Sequence, residues 1–432
     1  MQRRQSQLAI GFDPLWRRQP AWDVPNSMAN LSAAFPATSR NYVTLDETTE
    51  DIMDCTGQEL LLELLTGRIA RLTLDFDGDP NIIAGLTAGA FGVAAAPAGG
   101  TSETQTLTIT ATGGTFSLTV SVGANSQTTA PLPFNATSAD IEAAIAALSN
   151  VGPGDITVAG DGPHVFTFGA DLGSQDVQLI TVNTFGLTGG TGTNVVTVSG
   201  VGRTHPISRL SGFTLPYFTF YVGFRDSDEQ PVIFKNAVVD SLRVRSSSRT
   251  RVSGSVTLVG SGELEQAVGY NMPPCYDPLP LRFGDCQMNI AGTDYIAANL
   301  AREFEVGYDN GVVGQYDGQG VDVTRLERAD VRPAYMNMFV LGEPGDNLFN
   351  LASAKTKLPA STRIGPVGRH VLYSIPSGII RLTPERIRFG GDPPESELAI
   401  TVRPTKISGD ATTPINATAV IGQSTALLTP AA

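Results

Sequence analysis

Histidine is the side chain best suited to metal binding and to proton transfer near neutral pH, and the chain has three, His164, His205 and His370. A zinc site needs several His or Cys ligands brought together, often visible as a spacing such as HxxH or HExxH. None of the three histidines stands in such a spacing. The sequence therefore predicts no zinc site.

Two other short segments have a composition that suits a ligand. Residues 75–80, DFDGDP, alternate carboxylates as a calcium loop does, but the glutamate that closes such a loop is missing. A solvated turn before a helix N-terminus, where acidic residues are favoured, is the simpler interpretation. Residues 246–251, SSSRTR, resemble a phosphate or nucleic-acid patch in composition. Their position between two alternating strands favours a hairpin tip instead.

The remaining reactive residue types point to no enzyme. The cysteines Cys55, Cys275 and Cys286 are odd in number and lack a CxxC spacing, so we expect free buried thiols. The chain contains no phosphate loop and no GxSxG motif, and pairs of carboxylates occur in any acidic protein. We therefore expect neither a catalytic residue, nor a bound metal, nor a cofactor.

Charge divides the chain into segments. The 432 residues carry a net charge of −13, which argues against a generally cationic nucleic-acid binder. Residues 1–40 have a net charge of +3, and residues 41–97 have ten acidic and two basic residues. Residues 98–200 contain seven acidic residues and no Lys or Arg, although the whole chain has 29. This composition predicts a separate module at 98–200. No apolar run is long enough to span a membrane.

The pattern within 98–200 predicts a small β-rich domain with one helix. A helix follows PLPFNATSADIEAAIAAL, capped by Asn135 or Thr137 and burying Ile141 and Ile145. Alternation of apolar and polar residues predicts strands at 106–110, 115–122, 155–159, 165–168, 177–182 and 195–198. The stretch TGGTFSLTV…TTAPLPFNATSADIEAAIAAL resembles a module of phage structural and bacterial surface proteins. That resemblance implies an immunoglobulin-like surface decoration.

The sequence on either side of this module contains a duplication. The segment from Asn41 resembles the segment from Glu305 at an offset of 264 residues, which also aligns Pro80 with Pro344. Further along, the offset falls to 143, aligning Val244 with Ile387 and Val256 with Ala399. The difference is about the length of the module, which places it as an insertion in the first copy. Each copy is expected to hold about six strands and one short helix, at Pro80–Phe91 and at 346–357.

The stretch FTLPYFTFYVGFRDSDEQPVIFKNAVVDSLRVRSSSRTRVSGSVTLVGSG resembles the core of tailed-bacteriophage tail tube (major tail) proteins. The resemblance covers roughly 29–97 and 201–405. It implies a mainly β fold, with two tandem tube-type β-sandwich or half-barrel domains around the inserted immunoglobulin-like domain. It also implies homotrimeric, pseudo-hexameric rings that stack into a tube, in contact with other tail proteins. Double-stranded DNA would pass through the lumen without specific binding, and no membrane would be involved. The location would be the virion tail, after assembly in the host cytoplasm.

The predicted domains and sites follow from this scheme. The domains are an N-terminal arm (1–40), the first tube domain (41–97 with 201–270), the insert (98–200), the second tube domain (271–410) and a C-terminal tail (411–432). Arm contacts with a neighbouring subunit are predicted at Trp16, Arg17, Arg18 and Trp22. Two polar segments between strands, residues 44–59 and 309–324, are candidate inter-ring loops or solvated hairpin arms. Their candidate residues are Asp46, Glu47, Glu50, Asp51, Asp54, Asp309, Asn310, Tyr316 and Asp317.

Alternation along residues 237–245 suggests which side chains face a channel. It places Val238, Asp240, Leu242 and Val244 on the core face. The opposite face would then carry Val239 and the channel candidates Ser241, Arg243 and Arg245. Two other functions remain open at this point: a cell-surface or receptor-binding adhesin, and a distal tail or baseplate hub that forms a single ring.

Overall fold

The computed structural model is mainly β. It describes residues 8–35, 42–53, 60–122, 125–210, 212–224, 230–262, 264–273, 276, 281–316, 323–328, 334–342, 351, 354–382, 388–389, 396–404, 415–423 and 425–430. The elements before the insert are β1 (Leu8–Phe12), β2 (Ala33–Phe35), β3 (Tyr42–Met53), β4 (Leu60–Asp77), α1 (Pro80–Phe91) and β5 (Gly92–Ala94). We call all of the chain outside residues 102–200 the framework.

The insert and the remainder of the chain contribute the other elements. The insert contains β6 (Thr104–Ile109), β7 (Gly113–Val122), β8 (Asn125–Thr128), β9 (Leu132–Pro133), α2 (Ser138–Ala146), β10 (Ile156–Ala159), β11 (His164–Phe168), β12 (Thr181–Asn183), β13 (Leu187–Thr188) and β14 (Gly192–Val198). The framework resumes with β15 (Arg203–Arg209), β16 (Phe218–Phe224), β17 (Val232–Ser247), β18 (Ser253–Ser261) and β19 (Leu264–Gln266). It ends with β20 (Gln287–Ile290), β21 (Thr293–Asp294), β22 (Ala301–Asp309), β23 (Val312–Tyr316), β24 (Val323–Arg328), β25 (Tyr335–Gly342), β26 (Lys357–Ile364), β27 (His370–Leu382), β28 (Arg388–Phe389), β29 (Ser396–Pro404) and β30 (Asn416–Ile421).

One antiparallel sheet runs through both halves of the framework, in the order β3-β4-β18-β17-β22-β25-β29-β27. We call it the long sheet. Its first four strands and its last four repeat one arrangement: two strands in chain order, then a returning pair in reverse order. The two groups meet where β17 pairs with β22, from Ser241 opposite Asp309 to Ser247 opposite Glu303.

The strand register is compatible with the internal repeat when Leu74 is aligned with Met338. Leu74 of β4 lies opposite Val256 of β18, and Met338 of β25 lies opposite Ile400 of β29. Leu74 and Met338 are 264 residues apart, the offset expected from the sequence. Val256 corresponds to Ile400, one residue beyond the Ala399 that the sequence alignment pairs with it. The correction matters because a shift of one residue exchanges the two faces of a strand, and both Val256 and Ile400 are buried. Ile387, the other alignment partner, lies outside the described residues.

The second layer of the framework repeats as well. In the first half, β2-β1-β16 leads to β17, which also pairs with β19. In the second half, β21-β20-β26 leads to β27, which also pairs with β30. A single hydrophobic core fills the space between this layer and the long sheet. Stacked sheets with opposed apolar faces are a β-sandwich arrangement.

Helix α1 lies inside this core. Asp79 caps its N-terminus, accepting a hydrogen bond from the Asn81 N–H at 2.8 Å, and Pro80 occupies its first turn. Its end is fixed by Gly92, whose φ of 93° is left-handed. A Cβ atom at Gly85 would lie about 2.0 Å from the Trp16 ring, so glycine is what allows the N-terminal segment to pack on the helix. Of the proposed second helix at 346–357, most lies outside the described residues.

Both chain ends differ from the sequence expectation. The segment expected to be an arm forms β1 and β2 of the second layer, and Trp16 is only 1% exposed. The expected C-terminal tail contains β30, which pairs with both β27 and β15. Local composition did not predict these roles because β1 also pairs with β16, and β30 with β15, each about 200 residues away in the chain.

The insert is a separate two-layer structure with its own core. One sheet has the order β10-β11-β6-β14, and β7 pairs in turn with β8, β9, β12 and β13. Its helix is α2, with Thr137 as the N-cap and with Ile141 and Ile145 buried as expected. The predicted strand at 177–182 is shorter, since only Thr181–Asn183 is extended there. We call this unit the inserted sandwich.

Candidate functional site

The face of the long sheet turned away from the core is the surface on which the sequence placed channel residues. Ser241, Arg243 and Arg245 of β17 do lie there, while Leu242 and Val244 are buried in the core. The predicted alternation is wrong nearer the start of the strand, because a bulge falls between Val239 and Ser241. A bulge adds one residue to one strand and reverses the facing of those beyond it.

The bulge exchanges the roles of the two valines before it. Val239 joins the main core, and Val238 lies on the opposite face in a small cluster with Val259 and Leu326. Asp240 is the extra residue of this bulge. Its Oδ1 accepts the Val312 N–H at 2.7 Å, and its Oδ2 lies 3.7 Å from Arg71. We call the face of the long sheet that carries Arg243 and Arg245 the polar face.

Positive charges on the polar face have acidic neighbours in register. Arg245 lies opposite Glu305 of β22, and Ser241 lies opposite Asp309. Glu305 also accepts a hydrogen bond from the Tyr335 hydroxyl at 3.0 Å. Burial raises the pKa of Tyr335 to about 12, the Glu305 carboxylate adds to this rise, and the positive charge of Arg243 opposes it. The positive charge of Arg245 is therefore offset by an acidic residue on the neighbouring strand.

The rest of the polar face also carries both positive and negative side chains. Its described cations are Arg71, Arg243, Arg245, Arg381 and Arg403, and its described acids are Asp46, Asp75, Asp77, Glu303, Glu305 and Asp309. Arg71 binds Asp46 at 3.0 Å. Nucleic-acid surfaces concentrate Lys and Arg to neutralise phosphates, whereas here the arginines of β17 lie beside the acidic residues of the neighbouring strand β22. The polar face is suited to contact with water and ions rather than to tight binding of DNA.

The first polar segment forms one arm of a long hairpin. Strands β3 and β4 pair from Tyr42 opposite Thr73 to Met53 opposite Leu60. Strand β18 accompanies β4 only from Ile69 to Asp77, so the hairpin continues past the end of β18. Asp46 and Glu47 are exposed on β3. Glu50 and Asp51 also lie on β3, and Asp54 lies outside the described residues.

The second polar segment does not form a free loop at its start. Asn310 is completely buried, and its side-chain amide donates to the carbonyls of Ala90 at 3.0 Å and Val239 at 2.8 Å. This overturns its assignment as an inter-ring contact. Asp309 is half-buried and accepts the Gly311 N–H at 2.9 Å. After it, β23 and β24 form a two-stranded hairpin that packs against the cluster of Val238 and Val259.

At the end of β23, Tyr316 is 44% exposed, and Asp317 lies outside the described residues. The two polar segments therefore have different structures, although they occupy equivalent places in the sequence repeat. Only the first continues the long sheet outward.

The predicted arm residues contact their own chain. Trp16 is in the core, and Arg17 binds Asp13 at 2.7 Å. The backbone N–H of Arg18 donates to Thr429, and Trp22 packs edge-on against Tyr217 with ring centres 5.1 Å apart. Trp16 is too deeply buried to reach a neighbouring subunit, whereas for Arg17, Arg18 and Trp22 such a contact stays a prediction.

The histidines are dispersed. His164 lies in the inserted sandwich, with Nδ1 2.9 Å from the Ser138 hydroxyl. His205 is completely buried beside the Gln423 carbonyl, and burial lowers its pKa and that of His370. Within the described ranges, no group of three His, Cys, Asp or Glu side chains is placed to hold a metal ion.

Asp79, at the end of the calcium-like motif, is engaged by Arg369 at 2.9 Å in addition to its capping bond. Burial raises the pKa of the Cys286 thiol to about 12, which leaves it an inert thiol at neutral pH. Cys55 and Cys275 lie outside the described residues.

The hairpin predicted for SSSRTR is present, since β17 ends at Ser247 and β18 begins at Ser253. The fold brings three further arginines to this hairpin, Arg282, Arg302 and Arg363. They come from three separate segments of the second half, so no local pattern indicated them.

Among the described residues, no helix has the length and apolarity needed to cross a bilayer. Comparison with models of known protein families gives no match, and comparison with curated proteins gives no significant similarity.

Proposed function

We propose that the protein is a structural subunit of a phage tail tube, which assembles into rings of three chains that stack to form a conduit for DNA. The observation that carries this proposal is the edge-to-edge pairing of β17 with β22. It joins two copies of one strand arrangement into a continuous sheet within a single chain. A ring of six such copies requires the same kind of junction between chains.

The unpaired edges of the long sheet support closure in this way. Both outer strands of the long sheet have an edge without a partner in the described residues. Strand β3 pairs only with β4, and residues 380–382 of β27 pair only with β29. By the repeat, β3 corresponds to β22 and β27 corresponds to β17. A copy of β27 next to β3 of a neighbouring chain would therefore reproduce the β17–β22 junction. Open edges expose unpaired N–H and C=O groups, and ring closure removes them.

The polar face supports a role as the lining of a conduit. Three chains, each with eight strands in the long sheet, would form a closed wall roughly 45–50 Å across at the backbone for ordinary strand spacing and tilt. Its mixed charge would not hold phosphates tightly, which suits a passage that DNA leaves quickly.

The inserted sandwich would then lie on the outside. It leaves the framework between β5 and β15, which pair with each other, and β15 also pairs with β30 in the second layer, behind the core. Its two connections run side by side, with bridges at Ala98–Thr204 and Thr101–Val201. A decoration attached there would not obstruct the polar face.

Negative-stain microscopy and native mass measurement of the purified full chain test the proposal. We expect trimers whose images are rings, and tubes of uniform bore at higher concentration. Single copies at every concentration and salt condition tested would contradict the proposal and favour an adhesin whose binding unit is the inserted sandwich. Rings that never stack would favour a distal tail or baseplate hub instead.

A further inference from the structure

An open cavity of about 890 Å³ lies beside the tip of the β17–β18 hairpin. Its lining contains five arginines, namely Arg249, Arg251, Arg282, Arg302 and Arg363. The first two belong to the hairpin, which comes from the first half of the framework, and the other three come from the second half. The cavity therefore forms only where the two halves meet. We call it the arginine cavity.

Backbone hydrogen bonds between the two halves hold two of these arginines side by side. The Val252 N–H donates to the Leu281 carbonyl at 2.8 Å, and a second bond of 3.3 Å runs from the second half back to the hairpin. Between these bonds, Arg251 lies opposite Arg282 in an antiparallel bridge. This is the non-hydrogen-bonded type of pair, in which the two side chains lie closest, and like charges directly opposite each other are destabilising. The fold thus places together two positive charges that an anion would stabilise.

The arginines at the rim of the cavity are open to solvent and weakly engaged. Arg249 and Arg282 are exposed, and neither forms an ion pair within the described part of the chain. The Arg251 side chain is 65% exposed while binding Asp77 at 3.1 Å. An exposed ion pair of this kind contributes little to stability. The Arg251 guanidinium can therefore exchange Asp77 for a bound anion at small cost.

Two aspartates, Asp285 and Asp294, also line the cavity, but both are held by backbone N–H groups. Asp285 accepts the Arg282 N–H at 2.8 Å. Asp294 accepts three N–H groups at 3.1–3.3 Å. Such bonds orient a carboxylate toward its own turn. Two carboxylates also cannot neutralise five arginines, so the lining keeps a positive charge.

We infer that the arginine cavity binds a compact anion with two or more linked phosphate groups, such as inorganic tripolyphosphate or the phosphate chain of a nucleotide. The planar fork of a guanidinium binds phosphate oxygens in pairs, and each phosphate offers several such oxygens. The volume of the cavity lies within the roughly 300–1,000 Å³ of small-molecule sites. A phosphate between Arg251 and Arg282 would relieve the contact of like charges and link the two halves of the framework.

Duplex DNA also carries phosphates, but the surroundings of the cavity favour a small anion. The exposed Glu303 lies opposite Ser247 at the base of the hairpin, and Asp77 lies opposite Ser253 on its other side. A duplex extends beyond the cavity and would meet these carboxylates, whereas tight binding of DNA needs an extended row of Lys and Arg. The net charge of −13 also repels a long polyanion. DNA binding is therefore the competing outcome that the test separates.

The test is isothermal titration calorimetry of the full chain with sodium tripolyphosphate, ATP, orthophosphate and a short DNA duplex at about 150 mM salt. We expect one tripolyphosphate per chain, bound at least about tenfold more tightly than orthophosphate, because linked phosphates engage several arginines together. Bound tripolyphosphate should raise the melting temperature of the framework and leave that of the inserted sandwich unchanged. Tighter binding of ATP than of tripolyphosphate would identify a nucleotide as the source of the phosphates.

Paired variants locate the binding site. Arg251→Gln with Arg282→Gln should weaken tripolyphosphate binding at least about tenfold and abolish the rise in melting temperature. Arg325→Gln with Lys357→Gln is the matched control, because it removes the same charge from exposed positions outside the cavity, and it should bind as the wild type does. If circular dichroism shows that the first pair misfolds, Arg249→Gln with Arg282→Gln replaces it, since Arg249 takes no part in the bridge between the halves.

Several results would overturn the inference. Absence of tripolyphosphate binding to the wild type, or equal binding by the wild type and a folded cavity variant, would show that the arginines form no such site. An equal loss of binding in the control would mean that general charge attraction, rather than the cavity, holds the anion. Binding of the duplex without binding of tripolyphosphate would identify a nucleic-acid site instead.

Discussion

The framework and the inserted sandwich are both two-layer β structures, yet they are built over very different distances in the chain. Within the inserted sandwich, every residue of the core comes from positions 107–180. The core of the framework combines residues from Ile10 to Leu428. Trp16 packs on α1, and β30 completes a sheet with β15. Every strand pairing of the inserted sandwich lies within residues 104–198, whereas the framework core needs both chain ends, so a given change should affect only one of them.

The largest expected effect is that of Trp16→Ala. Removing a fully buried indole next to Gly85 should destabilise the framework by about 3–5 kcal/mol and leave the inserted sandwich intact. Two-transition calorimetry or denaturant unfolding would show this as a shift of one transition only. Trp22→Ala, at a half-buried ring, is the matched control and should cost less. Equal, small effects of the two changes would mean that the N-terminal segment is a loosely attached arm.

A smaller effect in the other region is expected from Thr137→Ala. The Thr137 hydroxyl caps α2 by accepting the Asp140 N–H, so its loss should cost about 0.5–2 kcal/mol in the inserted sandwich alone. Thr157→Ala, at an exposed strand position, is the control. A shift of the framework transition in the Thr137 variant would contradict the independence of the two cores.

Low pH should destabilise the framework more than the inserted sandwich. The pKa values of His205 and His370 lie below 6.5 in the folded framework, chiefly because burial disfavours the charged ring. The unfolded chain therefore binds these protons more readily, and the contribution to stability is complete above about pH 6.5 and lost as pH falls toward the folded values. We expect the framework transition to fall between pH 7.5 and 5.5 relative to that of the inserted sandwich. Parallel shifts of both transitions would argue against this cause.

The smallest effect is expected from removing the inserted sandwich. Its connections already lie side by side at Thr101 and Val201, so residues 102–200 can be replaced by a short Gly-Ser linker with little loop strain. The framework transition should change by less than about 1 kcal/mol, and ring formation should persist. Loss of folding in the shortened chain would show that the inserted sandwich supports the framework.

The same contrast explains how much the sequence could predict. The face of α2 and the strands β6 and β7 were predictable because their patterns are local and uninterrupted. The similar strand order of the two halves was also indicated by the sequence alignment. The reversed facing of Val238 and Val239 was not, because a bulge depends on the partner strand rather than on composition. The buried Asn310 was taken for a loop residue because only the fold supplies the Ala90 and Val239 carbonyls that satisfy its amide.

The pairing of β17 with β22 has a thermodynamic consequence for assembly. Two separate chains that form such a junction lose translational and rotational freedom, at a cost of about 4–15 kcal/mol. Here the two strands belong to one polypeptide, so this junction forms during folding at a high effective concentration that does not depend on dilution. Because both strand groups lie in one chain, they need not be identical: each has its own side chains on the polar face, and the first alone carries an insertion.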